Sequence, residues 1–196
     1  MLKGLGDSNL CEFLSFRQVK VPISLLEQHY QHVSTKDFYP WLLRYMSSGP
    51  SYVILLEGTV DALSTIRELL GHWRAHKAHS GTLRFRYSPY GGANCLHLSD
   101  GEETARFETS LWKQHLAIEP GQFDVPIQDY INRYLDKPNN TLKLRELCLE
   151  VASAGRPISH SHTTELQKLL AEECFDATPS QIEFMVWVFS EGCFLD

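Results

Sequence analysis

From Glu12 to Val21 the residues Phe13, Val19 and Val21 stand among polar neighbours at roughly period two, a pattern that predicts a strand. Pro22 ends it. Ser24-Leu-Leu-Glu27 then reads as a capping box, and Leu26, Tyr30 and Val33 fall at helical spacing, so a short helix is expected through His29 and Tyr30. Tyr39-Pro40 opens a second helix with one apolar face (Trp41, Leu42, Tyr45, Met46), and Gly49-Pro50 closes it. The nearly continuous apolar run Ser51 to Glu57 predicts a central strand in the middle of a sheet. Thr59 can cap a helix whose core face is Val60, Leu63, Ile66 and Leu70, with Gly71 as its stop.

Residues 72 to 82 read as a polar loop holding His72, His76 and His79, and Pro89 with a Gly-Gly pair marks a turn. A short strand from Ala93 to Leu98 is expected next, leading into a capping box at Ser99-Asp-Gly-Glu102 and a helix through Leu111 and Trp112. Beyond Pro120 the pattern becomes helical. Residues 126 to 135 and 141 to 153 form two helices, Thr164-x-x-Gln167 starts a third, and Pro179 starts a fourth whose buried face includes Phe184 to Phe189. The sequence therefore divides into an atypical segment (1–15), an α+β domain (16–118) and an all-helical extension (119–196).

Charge and composition narrow the field. Lys+Arg 18 against Asp+Glu 24 gives a net charge of −6, which argues against nucleic acid or an anionic membrane as a partner, because such surfaces are bound mainly through clustered cations. There is no apolar stretch of spanning length and no secretory leader pattern, so a cytoplasmic protein is expected. Five cysteines without a C-x-x-C pair point to buried free thiols, not to a disulfide framework or a thiolate zinc site. His160-Ser-His162 lacks a third ligand nearby and reads as a solvated loop. Asn139-Asn-Thr141 matches an N-glycosylation acceptor, which a cytoplasmic chain would not use.

The stretch Asn94-Cys-Leu-His97-Leu-Ser99-Asp100, with Glu108 beyond it, carries the chemistry. A histidine beside a capped helix start sits where backbone N–H groups favour anions, and a carboxylate on the following helix can orient its ring. Such a histidine suits acceptance of a phosphoryl group, although the local pattern is also that of a histidine packed at a strand end.

The surrounding motifs resemble the nucleoside diphosphate kinase family over residues 16 to 116. They run in order: His29-Tyr30 and Phe38 before Leu43-Arg-Tyr-Met46-Ser-Ser-Gly49-Pro50; Val53 to Gly58; Arg67-Glu-Leu-Leu70-Gly71; Gly81-Thr82-Leu-Arg84; then Asn94-x-x-His97-x-Ser99-Asp100 with Ala105, Glu108 and Trp112. The resemblance implies a ferredoxin-like antiparallel sheet with covering helices, and a ping-pong phosphotransferase in which His97 attacks the γ-phosphate of ATP or another nucleoside triphosphate and passes it to a diphosphate. It implies that Arg67 and Arg84 hold the phosphates, Asn94 contacts the ribose, Phe38 stacks on the base, and Tyr30, Ser99 and Glu108 orient the histidine and phosphate. Mg²⁺ would be held by the nucleotide phosphates and not by protein ligands. Taken singly, Phe38 and Tyr30 would be core aromatics and Arg67 and Arg84 solvated charges; the collinear match favours the site.

The departures support a rival reading. The family's N-terminal strand, with a lysine in an I-K-P-D setting, does not fit before residue 16, and Lys3 does not stand in for it, so the domain is expected to be short there and its sheet incomplete. An unpaired edge would then need cover from another chain or from the helical extension. Trp73 replaces a phosphate-contacting threonine, Leu98 replaces the glycine after the histidine, and Arg74-Ala-His-Lys77-Ala-His-Ser80 replaces the loop that supports family oligomers, with Lys77 or Arg74 as a substitute cation. The rival is a weakly active or inactive nucleotide-binding or assembly module, a homo-oligomer or a partner-bound chain whose C-terminal helices take a protein. Tails placed in this way are associated with cilia and flagella in divergent family members, which adds the axoneme as a location by analogy.

Overall fold

The computed structural model describes residues 10–174 and 176–195, with Val60 described by its backbone alone. Lys3, most of the 1–15 segment and the Val60 side chain lie outside the described residues. The chain forms two compact units, each built from two pieces of sequence: residues 1–68 with 98–136, and residues 69–97 with 137–196. These units and the sequence divisions after residues 15 and 118 are different partitions of the same chain.

In the first unit, β1 (Cys11–Lys20) pairs antiparallel with β2 (Pro50–Gly58), Phe16 opposite Ile54 and Lys20 opposite Pro50, with one irregularity between Phe13 and Ser15. Pro50 sits at the first position of its strand, where a missing N–H interrupts little of the ladder. The other edge of β1 is also paired: Phe16 N–H donates to Gln122 O (2.9 Å), Asp124 N–H to Phe16 O (3.0 Å) and Gly121 N–H to Leu14 O (2.7 Å). Arg17 clamps this join through Asp124 (2.8 Å) and Gln122 (2.7 Å). Around Leu14 and Phe16 this edge is thus covered by residues 121–124, which form a turn and a single bridge rather than a helix. Among the described residues β2 is not the middle of a sheet, and none of its side chains is fully buried.

Phe16 is fully buried at the centre of this arrangement, stacked on Tyr52 (centroids 5.0 Å) and edge-on to Tyr130 (5.2 Å). Tyr130 comes from α6 (Ile127–Tyr134), so one ring closes sheet and helix together. Helix α1 (Ile23–His29) buries Leu25 and Leu26, and α2 (Tyr39–Ser47) buries Trp41 and Leu42. The Ser24–Glu27 box does not form, because Pro22 at extended geometry already starts α1 and its carbonyl accepts from Leu25 and Leu26. Tyr30 leaves the helix, and Gln31–Val33 is one 3₁₀ turn. Helix α3 (Val60–Leu70) is capped by Thr59, whose hydroxyl accepts from Ala62 N–H at 3.2 Å. Helix α5 (Glu102–Leu116) follows the short α4 (Leu83–Tyr87), and α6 spans Ile127–Tyr134.

The second unit joins α4 to a three-helix bundle, α7 (Thr141–Ala154), α8 (His160–Glu173) and α9 (Pro179–Gly192), closed over Leu144, Leu147, Cys148, Val151, Leu166, Leu170 and Ile182, with Tyr90 packed into the same core. Ser159 caps α8 by accepting from His162 N–H, so this helix starts earlier than the Thr164 box suggests. Its first turn is polar and carries no apolar periodicity to announce it. Thr178 and Gln181 form a complete capping box at α9. Of the five thiols, Cys148 and Cys193 are buried, whereas Cys95 is exposed.

Residues 93 to 98 form no strand. Tyr90 and Ala93 make a single bridge, and the backbone beyond it is held by side chains. Gly71 ends α3 at φ +82°, and a Cβ there would lie 2.5 Å from Thr82 Oγ1, so glycine is required on both counts.

Because Phe16 joins the sheet to α6, Phe16→Ala should destabilise the first unit by about 3–5 kcal/mol, read from denaturant unfolding monitored by tyrosine signals. A loss below about 1 kcal/mol would mean that the ring is not what holds these elements together.

Candidate functional site

In the first unit the site is built on α5. Glu108 and Trp112 lie four residues apart and therefore share a helix face, which is turned toward the end of α1. The indole N–H of Trp112 donates to His29 Nδ1 at 3.1 Å, which leaves the imidazole proton on Nε2, 3.8 Å from a Glu108 carboxylate oxygen. The Ser99 hydroxyl donates to the other carboxylate oxygen. Diverted in this way, Ser99 does not cap α5. That role falls to Gly101, with no side-chain cap.

Tyr30 packs edge-on to His29 (4.5 Å) and is 8% exposed. Burial, helped by the charge of Glu108, pushes its phenol above the ordinary value, so it stays a protonated group. Burial is also the larger influence on His29 and lowers its imidazole below the usual 6.5, against the raising pull of Glu108. Arg67 reaches the turn after His97: its guanidinium pairs with Asp100 at 2.7 Å and donates to Ser99 O at 3.1 Å. Phe38 is half-buried at the start of α2, where its carbonyl accepts from Leu42 N–H.

The second unit carries His97, Arg84 and Asn94. Arg84, on α4, donates to Leu96 O through Nε (3.2 Å) and Nη2 (2.8 Å), and to Gly71 O through Nη1 (2.8 Å). Asn94 donates from its amide to Trp73 O at 3.2 Å, and Ser88 Oγ accepts from Cys95 N–H at 3.0 Å. These bonds replace the ladder of the expected strand and leave His97 exposed at the end of the segment. Trp73 is 47% exposed, stacked on His72 and contacted by the Arg74 guanidinium (4.7 Å). Lys77 is exposed.

The first unit thus gathers Tyr30, Ser99 and Glu108 around His29, and Arg67 on the adjacent turn. The second gathers Arg84 and Asn94 on the segment that ends at His97. Sequence reasoning passed over His29 and Asp100 as partners. His29 is signalled by its place beside Tyr30, and Asp100 by its place next to Ser99, but in each case the partner is distant in sequence. Among the described residues no group of three or more His, Cys, Asp or Glu side chains is placed to hold a metal ion, His160 and His162 included. No helix among them is long and apolar enough to cross a membrane.

A family model for nucleoside diphosphate kinase matches residues 7–118, more than half of the chain. The chain belongs to that family. It is 38% identical over 101 residues to a nucleoside diphosphate kinase of Ginglymostoma cirratum, covering 52% of this chain and 66% of the relative. It is 34% identical over 116 residues to the mitochondrial nucleoside diphosphate kinase of Columba livia, covering 58% of this chain and 64% of the relative. The chain therefore spans just under two thirds of the length of each. The solved nucleoside diphosphate kinase of Halobacterium salinarum, in complex with CDP, superposes with a TM-score of 0.55 at 23% identity, covering 66% of this chain and 84% of that one. The fold is accordingly the α+β fold of this family, with further helices at its C-terminal end.

Since His29 binds its proton more weakly in the folded chain than in the unfolded one, its contribution to stability is present above about pH 6.5 and is lost as pH falls through the depressed folded value. Between about pH 7.5 and about pH 5 the parent should therefore lose more melting temperature than His29→Gln, which keeps an acceptor for Trp112. Equal losses in the two proteins would remove His29 as a titrating element of the site.

Proposed function

We propose that this chain is a phosphotransferase of the nucleoside diphosphate kinase type, moving the γ-phosphate of a nucleoside triphosphate to a diphosphate through a phosphohistidine at His97. The observation that carries the reading is the Ser99–Glu108 hydrogen bond, backed by His29 and Trp112, set two residues beyond an exposed histidine. A neutral imidazole nitrogen supplies the lone pair for attack on phosphorus, the diphosphate leaves, and the N–P bond later breaks as a second diphosphate takes the phosphoryl group. In this reading Glu108, held by Ser99, and Tyr30, held protonated by burial, fix the orientation of the histidine and phosphate. Arg67 and Arg84 balance phosphate charge, since phosphoryl transfer is accelerated chiefly by positioning and charge compensation. Asn94 and Phe38 take the ribose and base.

Family membership and the CDP complex of the Halobacterium relative support a nucleotide ligand. In the same reading Mg²⁺ is carried on the nucleotide phosphates, where it would neutralise their charge. A cytoplasmic location and a homo-oligomeric state belong to the same reading. One observation favours a weakly active nucleotide-binding or assembly module instead: both arginines are engaged by the protein itself, Arg67 with Asp100 and Arg84 with two carbonyls.

Incubation with γ-labelled ATP and Mg²⁺ should give an acid-labile, alkali-stable phosphoprotein that discharges onto added diphosphates. His97→Ala should take no label, and Glu108→Ala should label about 100-fold more slowly. A folded, ATP-binding parent that takes no label would overturn the kinase reading and leave the binding module.

A further inference from the structure

Arg145 lies beyond the residues that the family model matches, in the middle of α7, yet it is 7% exposed. A buried guanidinium must spend its donors on protein acceptors or bear the full cost of desolvation. Arg145 donates to Pro89 O through Nε (2.9 Å) and to Phe85 O and Ser88 O through Nη2 (both 2.7 Å), and its guanidinium lies 4.6 Å from the Phe85 ring. Burial lowers its pKa from the ordinary arginine value, as expected where the compensating contacts are carbonyls and a ring face. Asn139, just before α7, adds a fourth grip on the same short helix by donating to Arg86 O at 3.2 Å. These are the end of α4 and the residues just after it, where carbonyls have no continuing helix to satisfy them.

What α4 does with this support is specific. From within it, Arg84 takes Leu96 O twice. From its C-cap, Ser88 accepts Cys95 N–H at 3.0 Å and meets Cys95 Sγ at 3.1 Å, while its own carbonyl rests on Arg145. Cys95 and Leu96 are the two residues before His97. An unbroken series of hydrogen bonds and short backbone steps, all within one compact unit, runs from Arg145 through α4 to the backbone that carries the histidine.

We propose that Arg145 is a positioning residue for His97, so that the C-terminal helices are part of the apparatus that aims the histidine rather than an appended module. The proposal rests on the kinase reading only for its kinetic consequence; the positioning itself can be read without phosphotransfer. Arg145→Met keeps the length and apolar stem of the side chain but removes every donor, and Ser88→Ala cuts the link to Cys95 without touching the bundle. In the full-length chain both should speed exchange of the Cys95 amide by at least about tenfold. Both should also slow His97 phosphorylation at saturating ATP by about 10–100-fold, with the ATP concentration for half-maximal rate little changed.

Arg145→Lys, which restores a cation and donors of different geometry, should recover part of the rate. Leu170→Ala, buried in the bundle core and carrying no side-chain hydrogen bond to lose, is the control for a merely structural role. It should lower the melting temperature while leaving the Cys95 amide and the rate per folded molecule at parent values. Folded Arg145→Met and Ser88→Ala proteins with parent-like Cys95 exchange and rates would overturn the proposal, as would Leu170→Ala matching their losses. If the parent takes no label, the kinase reading fails by itself. Arg145 is then decided by Cys95 exchange and the His97 imidazole resonances, and unchanged signals in both variants overturn it.

Discussion

A carbonyl removed from water needs a donor whether or not its segment has regular structure, and around His97 that need is met by guanidinium groups. Arg84 serves Leu96 and Gly71, and Arg145 serves Phe85, Ser88 and Pro89. Each planar fork can satisfy several oxygens at fixed angles, which a lysine ammonium does less selectively. The segment approaching the histidine is therefore held by side chains where a strand would be held by a ladder. This is also why the arginines cannot be read simply as free phosphate ligands: part of their donor capacity already maintains the backbone.

The same accounting explains the first unit. β1 has donors and acceptors on both sides, and β2 can satisfy one side only. Residues 121–124 satisfy the other at Leu14 and Phe16, with Arg17 tying the join together. An unsatisfied edge in this position would be a template for pairing with another chain. The residues that follow the family-matched region thus contribute twice, closing β1 in one unit and supporting α4 in the other.

Most elements were legible because local punctuation agrees with tertiary demand. Pro22, Pro40, Gly49-Pro50, Gly71 and Thr178-Pro179 bound their elements much as their backbone preferences require. What failed was set at long range. The strand expected over 93–98 has adequate apolar alternation, but its partners are side chains from residues 84 and 88. Ser99 has a capping spacing, but its hydroxyl meets a carboxylate from the next helix. Arg145 stands among Leu144, Leu147 and Cys148 on an inward face, a placement at which a charge requires carbonyl partners. The spacing of Ser99 and Glu108 was legible as a motif, and Ser99 does meet Glu108. The His29–Trp112 backing was not, because donor and acceptor lie 83 residues apart in sequence.

That backing bears on how the carboxylate can act. Glu108 has two oxygens; one is taken by Ser99 and the other faces His29 Nε2 at 3.8 Å. A protonated His29 would form a strong ion pair with Glu108 and draw the carboxylate toward α1, spending its charge inside the protein. Burial opposes this by disfavouring the charged imidazole, and the Trp112 N–H fixes the tautomer by occupying Nδ1. The outcome near neutral pH is a neutral support beside an oriented anion, whose attraction for a neighbouring proton or dipole is left largely unspent. A lysine or arginine in place of His29 would set a permanent cation beside Glu108 and neutralise it.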